Sequence, residues 1–215
     1  MNSKILVIRT SMVEKKISVS NAMVDKFIEI YKSVKPNDEF IELDLNDEPM
    51  AQISLNRNNM GTFFNEKDSD KYIDMLKTVD KIIFSCPMTN FNICATAKNY
   101  LDHILVANKT FSYKYSKKGD AIGLLPHLSV QLLTTQGAPL GWYPWGNHTE
   151  NLKGTWEFAG AKVVKPVLIA GNKIPENASK TPIERVAEHV NELTEAAKSF
   201  ANIPFKQYVP VELKK

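Results

Sequence analysis

The chain has 215 residues, of which 43% are hydrophobic and 24% charged, and its net charge is +3. This composition is ordinary for a globular domain with its own core, and so small a charge gives no reason to expect a nucleic-acid-binding protein. No apolar run reaches the about 18 residues that a membrane span needs, and the first residues lack the features of a secretory signal. We therefore expect a cytoplasmic protein.

Five short apolar runs alternate with helix-like segments along the chain. The runs are residues 4–9, 39–43, 81–85, 128–134 and 162–170. Such alternation predicts βαβ units and a parallel sheet with helices on both faces. Pro166 lies inside the last run, which we expect to be weakened or to lie at a sheet edge. We predict one α/β domain over residues 1–203, followed by a C-terminal tail over residues 204–215.

Apolar residues at helical spacing predict two amphipathic helices in the first half of the chain. The first covers residues 20–34, with Ser18 or Ser20 as its N-cap. The second has an apolar face that starts at Ile93, and we predict that Asn92 caps it.

A third helix is predicted from the sequence Thr-Pro-Ile-Glu at residues 181–184, which combines a capping box with a proline in the first turn. Its buried face is expected to run without a break from Ile183 to Ala197. Residues 45–66 and 135–151 are irregular in pattern and are predicted to be loops. Loops of this length in a compact domain are often functional.

Hydroxyl-bearing residues follow the first predicted strand. Thr10 and Ser11 come directly after it, and Ser18, Val19 and Ser20 then begin a helix. Hydroxyls and unpaired N–H groups at a helix start bind phosphate well, although the same residues also suit a simple helix cap.

Two further segments leave the third and fourth strands at the same predicted sheet edge. Residues 87–92, Pro-Met-Thr-Asn-Phe-Asn, offer apolar side chains and amides, which suit the face and the edge of a flat heterocycle. Residues 134–138, Thr-Thr-Gln-Gly-Ala, contain Gly137, which permits close backbone approach. Each segment also fits an ordinary turn. Together the three strand ends predict a site for a phosphate and an aromatic ring system rather than for acid–base catalysis.

Several familiar catalytic patterns are missing from the sequence. It contains no nucleophile elbow, P-loop or G-x-G-x-x-G fingerprint, and its four histidines form no obvious triad. Cys86 and Cys94 are not spaced as C-x-x-C or as a zinc site, and we interpret them as reduced, inert thiols.

The motifs resemble those of the FMN-dependent NADH:quinone oxidoreductases and azoreductases of the flavodoxin-like fold. The resemblance covers residues 3–201. It rests on KILVIRTS with SVSN, on residues 87–92 followed by KNYLD, on Thr110-Phe111-Ser112-Tyr113, and on Thr134-Thr135-Gln136-Gly137. It implies a flavodoxin-like three-layer sandwich with a five-stranded parallel sheet of order 2-1-3-4-5. It also implies a homodimer with FMN at the interface, NADH as transient electron donor, and quinones and aromatic azo compounds as substrates reduced by ping-pong kinetics.

The resemblance assigns the predicted contacts residue by residue, and it implies no catalytic side chain, since the flavin N5 carries the hydride, and no metal. The residues implied to bind FMN are Thr10, Ser18, Val19, Ser20, Pro87, Met88, Thr89, Asn90, Phe91, Thr135, Gln136 and Gly137. Tyr113 and Phe158 are implied to contact the substrate or the partner subunit's flavin.

The chain departs from the family pattern at Val19, Thr89, Gln136 and Ala138, which puts the substrate range in doubt more than flavin binding. The Trp-rich loop at 135–151 is predicted either to cover the substrate pocket or to pack at a subunit contact. Two other functions remain open from the sequence: a flavodoxin-type electron carrier without substrate turnover, and a flavin-free binding module.

Overall fold

The structure is a computed structural model that describes residues 2–114 and 121–211. Its strands are β1 (Lys4–Arg9), β2 (Glu39–Asp44), β3 (Lys81–Pro87), β4 (Phe111–Ser112), β5 (Ile122–Gly123), β6 (Ser129–Thr135), β7 (Lys162–Val163) and β8 (Val167–Ile169). Its α-helices are α1 (Val19–Val34), α2 (Lys71–Thr78), α3 (Ala95–Ile104), α4 (His148–Phe158), α5 (Pro175–Ala178), α6 (Pro182–Ala187) and α7 (Val190–Ala201). No helix in these described ranges is both long and apolar enough to cross a bilayer.

The main sheet is parallel and has the order β2-β1-β3-β6, with β7 and β8 both paired to the outer side of β6. Counted as one interrupted strand, β7 and β8 give the predicted order 2-1-3-4-5. Pro166 lies between them, so the expectation of a weakened edge strand is confirmed. Strands β4 and β5, which form a separate antiparallel pair, were not predicted from the sequence.

Two hydrophobic cores cover the two faces of the sheet, as expected for a three-layer sandwich. Side chains in β1 alternate between them: Leu6 and Ile8 face the core made with α2, α3 and α4, whereas Ile5 and Val7 face the core made with α1, α6 and α7. This alternation follows from the two-residue period of a strand.

The C-terminal helical region differs from its prediction. The capping box at Thr181 and Glu184 is present, but the predicted single helix breaks after α6 and restarts at Val190. Ile183, expected in the core, is 77% exposed. The buried side of α6 is set instead by Arg185, whose guanidinium donates to the Ala170 carbonyl at 2.9 Å.

The N-cap prediction for α3 is also wrong. Cys94 occupies the N-cap position, and the Asn92 side chain accepts a hydrogen bond from the Ile93 N–H at 2.8 Å instead. By contrast, Ser18 caps α1 as predicted. The predicted loop at 135–151 ends earlier than expected, because Asn147 caps α4 by accepting from the Glu150 N–H.

A buried lysine ties the last helix to the sheet. The Lys81 ammonium, in β3, donates to the carbonyls of Phe200 and Ala201 and to the Tyr31 hydroxyl, each at 3.0 Å. Tyr31 in turn donates to Asp38 at 2.7 Å. The ammonium thereby satisfies carbonyls at the end of α7 that have no partner within the helix.

Candidate functional site

The ends of β1, β3 and β6 meet at one edge of the sheet. Arg9 lies beside Ser85 in the β1–β3 register, and Pro87 lies beside Thr135 in the β3–β6 register. The segments that follow these strands therefore leave the sheet together, as the sequence predicts. They enclose a crevice made of two adjoining cavities.

We call these the serine cavity and the aromatic cavity. The serine cavity, of about 200 Å³, is lined by Ser11, Met12, Val13, Ile17, Ser18, Val19, Ser20, Pro87, Met88, Thr135, Gln136, Gly137, Asn172 and Lys173. The aromatic cavity, of about 310 Å³, is lined by Met88, Asn90, Phe91, Gly137, Ala138, Trp142, Tyr143, Lys173 and Ile174. Met88, Gly137 and Lys173 line both, so the two cavities adjoin.

Three serine hydroxyls form a chain at the start of α1. The Ser11 and Ser18 hydroxyl oxygens are 2.7 Å apart, and those of Ser18 and Ser20 are 3.0 Å apart. Ser18 also accepts from the Asn21 N–H at 3.1 Å, which fixes its side chain at the N-cap. Hydroxyl donors at the positive end of a 16-residue helix make this part of the crevice suited to an anion.

Thr10, one of the predicted phosphate ligands, is not brought to this surface. It is fully buried, and its hydroxyl donates to the Ser85 carbonyl at 2.9 Å. Ser11 takes its place in the serine cavity. Strand alternation carries this information in the sequence: Thr10 continues the face of Leu6 and Ile8, whereas Ser11 continues the face that points toward α1.

A tight turn follows β3. Thr89 and Asn92 exchange backbone hydrogen bonds of 2.8 and 3.1 Å, and the two residues between them are left-handed, with φ of 46° at Asn90 and 71° at Phe91. Positive φ at both central positions is the geometry of a type I′ turn. It is costly for a bulky residue such as phenylalanine, and strained backbone of this kind is concentrated at functional sites.

The predicted flavin-contacting residues of this turn do not all face the crevice in the same way. Met88, Asn90 and Phe91 line the aromatic cavity, and Pro87 lines the serine cavity. Thr89 is not among the lining residues, and its hydroxyl lies 3.7 Å from the Met12 sulfur. The Met88 N–H donates to the Thr135 carbonyl at 2.7 Å, so Met88 offers its side chain rather than its amide.

The wall opposite the turn contains a lysine that the sequence analysis missed. Lys173 and Asn172 follow β8, and their N–H groups donate to the carbonyls of Gly137 and Gln136 at 2.8 and 3.1 Å. Among the described residues that line the two cavities, Lys173 carries the only formal charge. A positive wall without carboxylates favours an anionic ligand. The residue was missed because only three strand ends were considered.

Three aromatic side chains pack together beside the aromatic cavity. The Phe91 ring contacts those of Tyr143 and Trp145, with ring centroids 4.8 and 5.9 Å apart. The two tryptophans of this loop are exposed to solvent, Trp142 by 64% and Trp145 by 71%. The Trp-rich loop thus packs against the left-handed turn, and its role as a pocket cover or as a subunit contact stays a prediction.

Tyr113 and Phe158 lie together elsewhere. Their ring centroids are 6.4 Å apart, and Phe111 packs against both. Neither residue lines the serine or the aromatic cavity of its own chain. Within the described parts of the chain there is also no cluster of three or more His, Cys, Asp or Glu side chains that could hold a metal.

Comparison with known proteins identifies the family. A family profile described as flavodoxin-like fold matches residues 3–193. A protein of Malacoplasma penetrans named FMN-dependent NADH:quinone oxidoreductase is 67% identical over 98% of this chain and 99% of its own length. One of the same name from Mycoplasmopsis pulmonis is 61% identical over 92% of this chain and its full length.

Solved structures agree on the fold. The crystal structure of an azoreductase from Bacillus anthracis has a TM-score of 0.74 at 25% identity, covering 92% of this chain and all of that one. An FMN-dependent NADH-azoreductase from Bacillus anthracis, solved in complex with FMN, has a TM-score of 0.69 at 20% identity, covering 94% of this chain and all of that one. The strand order, the crevice and these matches show that the chain belongs to the flavodoxin-like family, together with relatives named FMN-dependent NADH:quinone oxidoreductase.

Proposed function

We propose that the chain is an FMN-dependent oxidoreductase that carries a hydride from NADH to quinones and aromatic azo compounds. The observation that supports this most strongly is that the serine cavity adjoins the aromatic cavity, with Met88, Gly137 and Lys173 lining both. One end offers hydroxyls at a helix start, and the other offers apolar and amide groups. The relatives at 67% and 61% identity carry a name that states this activity.

The crevice fits FMN at three points. The phosphate matches the chain of hydroxyls formed by Ser11, Ser18 and Ser20, and the N–H groups of Val19 and Ser20 lie in the first turn of α1. The isoalloxazine matches the apolar side chains of the aromatic cavity. Its polar edge matches the Asn90 amide and the segment from Thr135 to Gly137.

FMN, when bound, supplies the ring nitrogen that accepts and releases the hydride. The residues of this chain bind and orient the ring. The Met88 side chain would pack against it, and Gly137, without a side chain, would let the backbone approach its edge. The Lys173 ammonium would stabilise negative charge at the wall shared by both cavities. The Phe91, Tyr143 and Trp145 rings would flank the outer side of the site.

The proposal includes a homodimer in the cytoplasm and a ping-pong order of substrates. Tyr113 and Phe158 support the dimer, because they form an exposed aromatic pair outside the cavities of their own chain. Aromatic residues are enriched at protein interfaces. A ping-pong order follows if NADH and the acceptor occupy the same aromatic cavity in turn.

The test is stopped-flow reduction of FMN-loaded protein by NADH, followed by mixing with a quinone. We expect the flavin absorbance to bleach with NADH and to return with the quinone, and initial rates to give parallel double-reciprocal lines. A protein that binds FMN but is not reduced by NADH would instead be an electron carrier. A protein that gains no flavin absorbance would be a flavin-free module.

A further inference from the structure

The two cysteines of the chain lie close together next to the segment that contains the left-handed turn. Cys86 and Cys94 are eight positions apart in sequence, yet their sulfur atoms are 3.9 Å apart. Cys86 lies near the end of β3 and Cys94 at the N-cap of α3. They bracket residues 87–93, the segment that contains the left-handed turn. The spacing in sequence, which is not C-x-x-C and was interpreted as that of inert thiols, does not reveal this proximity.

The two sulfurs have different surroundings. Cys94 lies at the start of a helix, and its sulfur is 3.2 Å from the Thr10 hydroxyl and 3.5 Å from the Thr96 hydroxyl. The contact with the Cys86 thiol lowers the pKa of Cys94. The same pairing and burial raise the pKa of Cys86. Because Cys94 also lies at the positive end of α3 and is the less completely buried of the two, we assign it as the attacking sulfur and Cys86 as the resolving one.

We propose that Cys86 and Cys94 form a reversible dithiol–disulfide pair that is oxidised by hydrogen peroxide. The Cys94 sulfur attacks one peroxide oxygen, so that an S–O bond forms, the O–O bond breaks, and hydroxide leaves to take up a proton as water. The Cys86 sulfur then attacks the Cys94 sulfur. An S–S bond forms, the S–O bond breaks, and the second oxygen leaves as water with the Cys86 proton. Two thiols are oxidised, and one peroxide is reduced to two waters.

The position of the pair determines what oxidation does. A disulfide requires sulfur atoms about 2.05 Å apart, so the two sulfurs must approach each other by about 1.9 Å, through rotation of the side chains, movement of the backbone, or both. The segment between the two cysteines carries Met88, Asn90 and Phe91, which line the aromatic cavity. We expect the cross-link to restrain this segment and thereby to alter ligand binding in that cavity. This consequence for ligand binding, unlike the disulfide itself, rests on the proposed function.

The burial of both cysteines determines which oxidants can reach them. Cys86 is fully buried and Cys94 is 3% exposed, so a molecule the size of water has far better access than an aromatic thiol reagent. We expect hydrogen peroxide to oxidise the native protein, while a nitrobenzoate disulfide reagent reacts only after denaturation.

The experiment treats reduced protein with hydrogen peroxide, removes the peroxide, and counts free thiols after denaturation. We expect two thiols per chain to fall to zero with the loss of two hydrogen atoms from the intact mass, and dithiothreitol to restore both. A non-reducing peptide map should link Cys86 to Cys94 within one chain. Sulfinic acid at Cys94, an intermolecular link, or two unreacted thiols would each overturn the proposal.

Two variants assign the roles of the sulfurs. In Cys86→Ser, peroxide should leave a sulfenic acid at Cys94 that dimedone traps. In Cys94→Ser, the remaining Cys86 should stay a thiol under the same conditions. Equal peroxide reactivity of both variants would contradict the assignment. The wild-type peptide map tests disulfide formation even if either variant fails to fold.

A separate measurement tests the effect on the cavity. It compares the FMN dissociation constants of reduced and oxidised wild type. If the protein does not bind flavin, the proposed function fails, but the evidence for the disulfide is unaffected.

Discussion

The Lys173 side chain lies directly against Gly137. A Cβ atom on Gly137 would meet the lysine Cδ at 2.9 Å, and the Lys173 N–H donates to the Gly137 carbonyl at 2.8 Å. The glycine and the lysine thus form one wall, in which the absence of a side chain at 137 sets where the lysine stem runs. The lysine side chain thereby lines both cavities.

Replacing this lysine should weaken FMN binding. In Lys173→Met we expect the FMN dissociation constant to rise about tenfold, which corresponds to about 1.4 kcal/mol for the loss of a charged contact. Fluorescence titration measures the constant. Lys162→Met, at the other end of the sheet, is the control and should bind FMN as wild type does. Equal affinities in the two variants would remove Lys173 from the site.

Ser18 combines a structural with a binding role, and the two can be separated. Ser18→Ala should lower the free energy of unfolding by about 1 kcal/mol through loss of the helix cap, and Thr181→Ala should cost a similar amount at α6. Of the two variants, Ser18→Ala alone should also weaken FMN binding, because Ser18 lines the serine cavity and Thr181 does not. Riboflavin, which lacks the phosphate, should bind both variants as it binds wild type. Equal loss of FMN affinity in both variants would indicate a general effect of destabilisation.

Variants of Asn90 separate the effect of the backbone geometry of the turn from the effect of the side-chain amide. At φ of 46°, Asn90→Ala should lower the free energy of unfolding by about 1 kcal/mol, whereas Asn90→Gly should not, because glycine adopts left-handed backbone freely. Both variants lose the amide, so both should bind FMN more weakly. Denaturant unfolding and flavin titration supply the two measurements. If only the alanine variant binds FMN poorly, turn geometry rather than the amide is responsible.

The buried ammonium of Lys81 predicts a pH-dependent stability. Burial lowers the pKa of Lys81 to about 8, so between that pH and the pKa of the unfolded chain, about 10.4, the unfolded state binds more protons. Stability from this group therefore rises with pH in that window, by at most about 1.4 kcal/mol per pH unit. Above about pH 10 the raised pKa of Tyr31 acts in the opposite direction, so pH 8 to 9.5 is the informative range.

The corresponding variant is Lys81→Met, which keeps most of the side-chain volume but cannot titrate. We expect a lower overall stability, since the Phe200 and Ala201 carbonyls lose the hydrogen bonds from the ammonium, and a flatter dependence on pH. Chemical denaturation at several pH values gives both quantities. Curves for wild type and variant that stay parallel from pH 8 to 9.5 would show that Lys81 does not titrate there.

The features predicted correctly from the sequence are those set by local pattern. Apolar runs identified the strands of the main sheet, and Pro166 marked the interruption of the last one. Thr181 and Glu184 predicted a helix start that is present in the structure. The crevice was predictable because parallel strands place their ends at one edge. Each of these conclusions needs only neighbouring residues and the geometry of the fold class.

The features that were missed depend on contacts between distant segments. Lys173 reaches the crevice only because its loop hydrogen-bonds to the segment after β6. Ile183 is exposed because α6 turns Arg185 and Val186 toward the interior instead. The positive φ of Phe91 reflects a turn closed by Thr89 and Asn92, which a phenylalanine in the sequence does not suggest. The assignment of individual residues to FMN stays a prediction.

The interruption at Pro166 has a consequence for how copies of this chain associate. The outer edge of the sheet consists of β7 and β8, which have two and three residues. Strands this short are poor partners for a β-strand of another molecule. The opposite edge is β2, where Glu39 and Asp44 would repel the same carboxylates of a second copy. Neither edge favours β-strand addition, so self-association through a continuous intermolecular sheet is disfavoured, and the proposed homodimer would have to form through helices and loops.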